Sequence, residues 1–417
     1  MLGVLGQILI YIVPFLLVLT FIVTIHELGH FLVARAFGVK VDRFAVGFGK
    51  AVFSRTDRHG IEWRLGWLPL GGYVKFSGDL DASSVPDQAG LNELRQRVVA
   101  QSGPGAERDY FHFKPVWQRA LVVAAGPVAN FILAITIFAI VFMAVGVQLR
   151  PARVAQVQAG SPAAAAGFQV GDLITGVNDK AIKDGSAVTR TVMLSTGDPV
   201  RFTVERGAQT LHLTAVPERR EENDPVAGRV KVGRIGLGLG STAADVRHVR
   251  YGPVSAVVEG VRQTGDVIGS TLTYLGRLVT GRESGDQFSG PLGIAKATGS
   301  LTTAAVEASP APGQMAINLL LTLTTLAAIL SIGIGFLNLL PIPILDGGHL
   351  LFYGYEAVAK RPVSARFQEM GYRAGLALLA GFMLFATWND LQKLNLFQFS
   401  AGSSLEPTPA PDGFPNE

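Results

Sequence analysis

His26, Glu27 and His30 stand in the pattern His-Glu-Leu-Gly-His, whose residue types and spacing can bind a metal and activate water. On a helix, residues at positions i and i+4 share a face, so the two imidazoles can bind one ion. Zinc is the usual ion at such a pair, and Glu27 then lies beside the activated water as a general base. The pattern predicts a zinc hydrolase. The alternative, two unrelated histidines on a helix, is disfavoured because ionisable groups at bilayer depth are costly.

The helix that carries this pattern is predicted to cross a membrane. Met1 to Ile25 contains no charged residue, and 48% of the whole chain is hydrophobic against 16% charged. This composition is typical of an integral membrane protein in a lipid bilayer. Windows poor in charge predict four spans: Leu2 to about Ala34, Ala120 to Leu149, Ala308 to Leu345 and Ala374 to Asn389.

Charge and cysteine content exclude other classes of function. The net charge of +4 over 417 residues includes no basic patch of the kind that binds nucleic acid, so no nucleic-acid partner is expected. The chain has no cysteine, so it has no thiolate nucleophile and no thiolate metal ligand.

The distribution of basic residues predicts the orientation in the membrane. Lys and Arg are frequent between Arg35 and Arg119, and the loop 351–372 contains three more. Both segments are therefore expected in the cytoplasm, with the long segment from Arg150 to about Gly313 outside. His26 then lies near the cytoplasmic end of span one. A third metal ligand must reach the same depth.

Asp346 is the predicted third ligand, because span three runs inward and the aspartate follows at its inner end. Pro341 and Pro343 break the helix just before it and turn the chain. The alternative is a turn residue capped by the Gly-Gly pair that follows. His349 is a rival ligand, but its position beyond that pair predicts a polar loop residue.

Three groups of residues together resemble the bacterial site-2 protease family of intramembrane zinc metalloproteases. They are His26 to His30 in span one, Gly126-Pro127-Val128-Ala129-Asn130 in span two and Asn338 to His349 in span three. The resemblance extends over nearly the whole chain. It implies an enzyme of the bacterial inner membrane that cuts the transmembrane segment of single-pass proteins such as anti-sigma factors or signal-peptide remnants. A site-1 protease would first have removed the outer part of the substrate.

The resemblance also implies roles for individual residues. His26, His30 and Asp346 are expected to bind Zn²⁺, and Glu27 to act as the general base. Asn338 matches a position that contacts the substrate, although a buried Asn can also simply bond across helices. Gly126, Pro127 and Asn130 match a motif whose preferred interpretation is a kink with an interhelical hydrogen bond.

Residues 39–74 alternate short apolar runs with glycines and are predicted to form hairpin strands. Gly47, Gly49, Gly71 and Gly72 are the candidate substrate-binding positions there. An exposed strand edge could hold the substrate as an added strand. The alternative is a plain cytoplasmic hairpin that closes the cavity.

The outside segment from Ala152 to about Pro217 resembles a PDZ domain in its run from Ser161 to Ile174, and Arg229 to Gly240 are expected to supply a last strand. Such a domain either binds the trimmed C-terminus of a substrate or excludes bulky substrates by size. Residues 254 to 279 are apolar at helical spacing and predict a helix on the outer membrane face or against the PDZ domain.

The fold class is therefore a membrane α-helical protein of four transmembrane helices, with a membrane-associated β-hairpin region and one extracytoplasmic α+β PDZ domain. The expected divisions are: transmembrane helix 1 at 1–37, cytoplasmic loop with β region at 38–116, helix 2 at 117–150, periplasmic PDZ domain at 151–240, amphipathic helix and linker at 241–313, helix 3 at 314–350, cytoplasmic loop at 351–372, helix 4 at 373–395 and disordered periplasmic tail at 396–417.

Further mobile segments are expected at 79–109 and 304–313, which are rich in Gly, Pro, Ser and charge. Two other functions compete with the protease. One is a catalytically inactive membrane PDZ scaffold with a structural metal site, for which the Glu27 carboxylate would have no use. The other is a metal-ion transporter, in which charged residues should line several spans, whereas spans two and four lack them.

Overall fold

The computed structural model describes residues 4–78, 88–224, 228–240, 245–283, 285, 289–309 and 311–393. Its helices are α1 (Val4–Ala36), α2 (Gln88–Ser102), α3 (Val116–Ala144), α4 (Pro162–Ala165), α5 (Gly185–Met193), α6 (Pro253–Val279), α7 (Pro291–Glu307), α8 (Pro312–Asn338), α9 (Asp346–Ala359) and α10 (Ala365–Lys393). Within these ranges, four helices are long and apolar enough to cross a membrane: α1, α3, α8 and α10. The four candidate spans expected from the sequence are confirmed as helices.

The strands are β1 (Val41–Thr56), β2 (Glu62–Phe76), β3 (Val147–Leu149), β4 (Ala152–Val157), β5 (Leu173–Val177), β6 (Lys180–Ala181), β7 (Val200–Arg206), β8 (Gln209–Ala215), β9 (Glu218–Asp224), β10 (Gly228–Arg234), β11 (Leu237–Gly240) and β12 (Arg247–Val249). They lie in two regions of the chain, one between α1 and α2 and the other between α3 and α6.

The helix α3 is the centre of the bundle and packs against α1, α6, α8 and α9. Small residues let these helices approach closely, as is usual between membrane helices. A Cβ atom on Gly29 of α1 would lie only 2.3 Å from the backbone oxygen of Ala125 in α3. On the other side of α3, Ser331 of α8 donates a hydrogen bond to the backbone oxygen of Asn130 at 2.9 Å. These two contacts therefore confine α1 and α8 to a narrow range of positions against α3.

The hairpin of β1 and β2 is folded over into four paired segments. Residues 43–46 of β1 pair with residues 72–75 of β2 on one side and with 62–65 on the other. The chain bends at Gly47 and Gly49, whose φ angles are +78° and +85°, which glycine adopts without the strain of a side chain. The hairpin strands predicted over residues 39–74 are thus confirmed, and β2 lies against α1.

The chain between α8 and α9 corrects the predicted third span, 314–350. The helix α8 ends at Asn338, and Asp346 is the first residue of the separate helix α9. Pro341 and Pro343 lie in the turn between them, as expected from the loss of helical hydrogen bonds at proline. Residues 351–359, expected in a loop, belong to α9 as well.

The second region of strands forms a sheet domain in residues 152–240. Its strand order is β11-β4-β5-β7-β8, with β6 paired to β5, and the helices α4 and α5 flank it. Alternating apolar residues of the strands form a buried core with the two helices, including Val154, Val188, Val200 and Phe202. The last strand predicted from Arg229 to Gly240 is divided in two: β11 forms one edge of the sheet, whereas β10 pairs with β9 in a separate two-stranded sheet.

The helix α6 lies between the bundle and the sheet domain. A Cβ atom on Gly260 would lie 2.9 Å from the backbone oxygen of Ile135 in α3, and Arg277 forms an ion pair with Asp198 of the sheet domain. Its apolar side chains Val254 and Val258 remain exposed. The predicted helix therefore contacts both the bundle and the sheet domain.

Two segments that were expected to be mobile are largely helical. Residues 88–102 form α2, in which Val98 is buried, and residues 304–307 complete α7. The polar residues that suggested mobility lie mostly on the exposed sides of these helices, where they do not oppose folding. The remaining expectation, a disordered tail over 396–417, lies outside the described residues, as do residues 79–87.

Candidate metal centre

His26 and His30 lie one turn apart on α1 and face α3. Their Nε2 atoms are 3.1 Å apart, and the two rings meet edge to face. The side chain of His26 is only 7% exposed and that of His30 12% exposed. The shared helix face predicted from the i, i+4 spacing is thus present, with both nitrogen atoms directed at one point.

Asp346 meets this pair from the first turn of α9. Its Oδ2 atom lies 3.1 Å from Nε2 of His26 and 3.6 Å from Nε2 of His30. Zinc–nitrogen bonds of about 2.0–2.1 Å in tetrahedral geometry put neighbouring donor atoms roughly 3.3 Å apart. Because the three separations lie close to that value, the three side chains fit a zinc ion.

The Asp346 Oδ2 atom gives a second indication of a metal. It is buried and has no conventional hydrogen-bond partner among the described residues. A buried carboxylate oxygen without a partner is costly unless an ion compensates it. The donor set of two imidazoles and one carboxylate is also one that zinc accepts at catalytic sites, with a fourth position left open.

The helix α3 supports both imidazoles from behind. Nδ1 of His30 lies 2.8 Å from the backbone oxygen of Val122, and Nδ1 of His26 lies 3.2 Å from the Asn130 side-chain amide. Gly126 leaves the space that the rings occupy, because a Cβ atom there would lie 2.3 Å from Nε2 of His30. The predicted interhelical hydrogen bond of Asn130 is therefore present, but its partner is a candidate metal ligand.

Glu27 is held by the strand β2. The backbone N–H of Val74 donates a hydrogen bond to Glu27 Oε2 at 3.2 Å. Further along the same helix, the Thr20 hydroxyl donates to the backbone oxygen of Pro69 at 2.5 Å. The strand thus runs beside α1 as far as the predicted general base, a contact that no sequence pattern indicated.

Asn338, at the end of α8, also reaches the cluster, since its Nδ2 atom lies 3.5 Å from Nε2 of His26. His349 does not join the three donor atoms, and its Nδ1 atom lies 3.4 Å from the Tyr372 hydroxyl. The structure therefore brings the Asn338 amide into contact with the cluster.

The four candidate glycines lie in the folded hairpin rather than at the cluster. A Cβ atom on Gly47 would lie 2.7 Å from the backbone oxygen of Leu68, and one on Gly72 would lie 2.5 Å from that of Ala45. Gly49 lies against the Trp67 ring, and Gly71 is in contact with Val23 of α1. These glycines allow the strands to bend and to approach α1.

A groove in the sheet domain is a second candidate site. It has a volume of about 430 Å³ and lies between α5 and the edge strand β11. Its walls include Val188 and Val192 of α5, Leu237 and Leu239 of β11, and Arg234. The groove combines an apolar floor, basic residues and a strand edge, which are the features of a site for an extended peptide.

Comparison with known proteins agrees with the metal site. A profile of Peptidase family M50 matches residues 14–382, a range that includes His26, His30 and Asp346. The chain is 48% identical over 394 residues to Metalloprotease MmpA of Caulobacter vibrioides, covering 94% of this chain and 98% of that protein. Proteins of Agrobacterium fabrum and Mesorhizobium japonicum, both named as zinc metalloproteases, are each 43% identical, covering 92% and 91% of this chain and 96% and 98% of their own lengths.

Proposed function

Because the chain belongs to Peptidase family M50 and is a zinc metalloprotease of the membrane, we propose that it cuts a peptide bond inside the bilayer at the cluster of His26, His30 and Asp346. One observation carries the proposal. The imidazoles of His26 and His30 near one end of α1 and the carboxylate of Asp346 in α9 have the donor spacing of a tetrahedral zinc site, and Glu27 follows His26 in sequence. The two histidines and the aspartate would hold the zinc.

Glu27 is the residue that moves protons in this proposal. When bound, zinc supplies Lewis-acid activation of the water that attacks the peptide carbonyl. Glu27 takes a proton from that water and delivers it to the leaving amine. The N–H of Val74, which donates to Glu27 Oε2, would fix the orientation of the carboxylate, and the Asn338 amide would donate to the carbonyl oxygen of the substrate.

The substrate is proposed to bind along β2. Residues 68–76 form an edge of the folded hairpin and run beside α1, where Val74 touches Glu27. An extended substrate segment added at this edge would lie close to the base, and an extended backbone is what a protease needs in order to reach the bond. Gly71 and Gly72 would keep side chains out of the way.

The proposed substrates are single-pass membrane proteins, such as anti-sigma factors or signal-peptide remnants, already trimmed by a site-1 protease. The support is the resemblance of the chain to the bacterial regulator of sigma-E protease. The charge distribution supports an orientation in the inner membrane with the metal site towards the cytoplasm and residues 151–240 in the periplasm.

The sheet domain is proposed to be the single PDZ domain of this protease. The groove between α5 and β11 would take the trimmed C-terminus of the substrate as a strand, with its last apolar side chain against Val188 and Val192. Exclusion of untrimmed substrates by size is the alternative, and it does not need the groove.

The decisive experiment compares wild type with Glu27→Gln in proteoliposomes that contain a candidate single-pass anti-sigma factor. We expect Glu27→Gln to lower the cleavage rate by about 10²–10⁴-fold, because it removes the base, with the zinc content unchanged. Glu369→Gln is the matched control, because Glu369 forms an exposed ion pair with Arg373 within α10, a helix that supplies no candidate zinc ligand. Equal cleavage by Glu27→Gln would refute the role of Glu27 as the base, whereas a wild type that binds zinc but does not cleave would favour an inactive scaffold with a structural metal.

A further inference from the structure

Among the described residues, Asn130 has the only side chain of α3 that lies within hydrogen-bond distance of a candidate zinc ligand. This side chain is fully buried. We infer that Asn130 is a positioning residue for zinc binding: its side-chain amide oxygen accepts a hydrogen bond from Nδ1–H of His26 and so directs the lone pair of His26 Nε2 at the ion. The inference rests on the proposed zinc site but not on the proposed proteolysis.

The described geometry brings the Asn130 amide to the required atom of His26. The Asn130 Nδ2 atom lies 3.2 Å from His26 Nδ1, and on the opposite side of the ring Nε2 lies 3.1 Å from Asp346 Oδ2. The amide therefore contacts the ring nitrogen that faces away from the candidate metal ligands.

Zinc binding requires the tautomer of His26 that carries its proton on Nδ1. Nε2 faces His30 and Asp346 and is the atom that must give its lone pair to the ion, so the ring proton must then lie on Nδ1. An Nδ1–H facing the Asn130 NH₂ group would place two donors against each other. Rotation of the amide by 180° exchanges its oxygen and nitrogen with almost no change in shape.

A second observation indicates that the amide has this freedom. The Asn130 Oδ1 atom is buried and makes no hydrogen bond among the described residues, so the orientation seen here leaves an acceptor unused. After rotation, that oxygen accepts from Nδ1–H of His26. Histidines that bind metals usually donate their second N–H to an oxygen in this way, which fixes the ring and raises its basicity.

The backbone around Asn130 is fixed independently of its side chain. Ser331 of α8 donates to the Asn130 backbone oxygen at 2.9 Å, and Gly335 allows α8 to pack against this turn of α3. Replacement of the Asn130 side chain can therefore be compared with loss of the Ser331 bond, which weakens the same helix contact without touching His26.

The experiment measures zinc affinity by chelator competition on the full-length protein in detergent, in a Glu27→Gln background that prevents self-cleavage. The variants Asn130→Leu, Asn130→Asp and Ser331→Ala are compared. Leu and Asp have nearly the shape of Asn, but Leu offers no acceptor and Asp offers only acceptors. We expect Asn130→Leu to lower zinc affinity about 10–100-fold, Asn130→Asp to bind at least as tightly as the parent, and Ser331→Ala to stay within about threefold.

Three results would overturn the inference. They are an unchanged affinity in Asn130→Leu, a loss in Asn130→Asp as large as in Asn130→Leu, or an equal loss in Ser331→Ala, which would assign the effect to helix packing. If Asn130→Leu does not fold, as judged by thermal unfolding without metal, Asn130→Asp decides. Zinc binding at least as tight as in the parent supports the inference, and weaker binding overturns it. Failure of the parent protein to bind zinc would instead refute the proposed metal site.

Discussion

The metal cluster and the groove of the sheet domain are built in opposite ways. The cluster takes its donor atoms from α1 and α9, which are more than 300 residues apart in the chain, and α3 supports the imidazoles. The groove takes most of its walls from two short segments of one sheet domain, α5 and β11. The cluster therefore depends on how three helices pack, whereas the groove depends on one local core.

This difference has an energetic consequence. At the cluster, backbone and imidazole atoms fill the space next to glycines, so added volume has nowhere to go. At the groove, the side chains line an open surface above the core that contains Val188 and Val192. Substitutions should consequently have large effects on metal binding at the first site and graded effects on peptide binding at the second.

Gly126→Ala is expected to have the largest effect of the variants that test this difference between the two sites. The new methyl group would lie 2.3 Å from Nε2 of His30 and 2.7 Å from Nε2 of His26, so both rings must shift by about 1 Å to reach normal contact. We expect zinc affinity and cleavage each to fall by roughly 10²-fold or more, because displacements of this size at a catalytic site are that costly. Zinc content after dialysis and cleavage in proteoliposomes measure the effect.

Gly333→Ala is the control for this variant. It places the same methyl group on the neighbouring helix α8, where no atom lies within 4 Å. Its zinc content and activity should match those of wild type. A zinc affinity in Gly126→Ala equal to that of Gly333→Ala would show that the imidazoles are not confined by α3, and the contrast with the groove would be lost.

The sequence predicted the metal ligands because they belong to local patterns. His26 and His30 follow from helical spacing, and Asp346 follows from the prolines that end the preceding helix. Their donor atoms meet in space, as a shared site requires. The roles of Asn130 and Val74 could not be deduced in this way. Each depends on a contact between distant elements, and Asn on a membrane helix is equally suited to an ordinary interhelical bond.

The sheet domain shows the complementary limit. A domain in this segment was predicted from the resemblance of the run from Ser161 to Ile174, but the groove depends on β11 pairing with β4, which no local signal specifies. The helix over residues 88–102 was missed because polar residues conceal the apolar positions around Val98. Helices and strands whose apolar residues recur at a regular spacing can be predicted from sequence, whereas strand register and the pairing of distant strands are set by packing.

Asp172→Asn is expected to have an intermediate effect, confined to the sheet domain. Arg206 donates two hydrogen bonds to the buried Asp172 carboxylate, at 2.7 and 2.8 Å, and holds its pKa below the usual range. Loss of this charge should lower hydrogen-exchange protection of residues 173–206 by at least about tenfold at pH 7, since buried charged hydrogen bonds are stabilising. Zinc content should not change.

The same pair predicts a pH dependence. A carboxyl group whose pKa is lower in the folded state stabilises it above its unfolded pKa of about 3.9, and this stabilisation is lost as the pH falls through the folded value. Protection in wild type should therefore decrease below about pH 4, whereas Asp172→Asn should lack this decrease. Asp179→Asn, which breaks an exposed ion pair with Arg201, is the control and should leave protection nearly unchanged. A similar loss in both variants would contradict the special role of the buried carboxylate.

Leu237→Lys is expected to have the smallest effect on catalysis and is the sharpest separation of the two sites. Leu237 is partly buried in the β11 wall of the groove, and a lysine side chain at this position can extend into the groove while its stem stays on the apolar wall. Binding of a peptide with an apolar C-terminus, measured by fluorescence anisotropy, should weaken about tenfold, since about 1.4 kcal/mol of apolar contact is lost. Cleavage of a substrate that has no outer segment should stay within about twofold of wild type, because such a substrate does not need the groove. Peptide affinity equal to wild type would favour exclusion by size. The sheet domain would then act as a steric filter for the metal cluster rather than as a peptide-binding site.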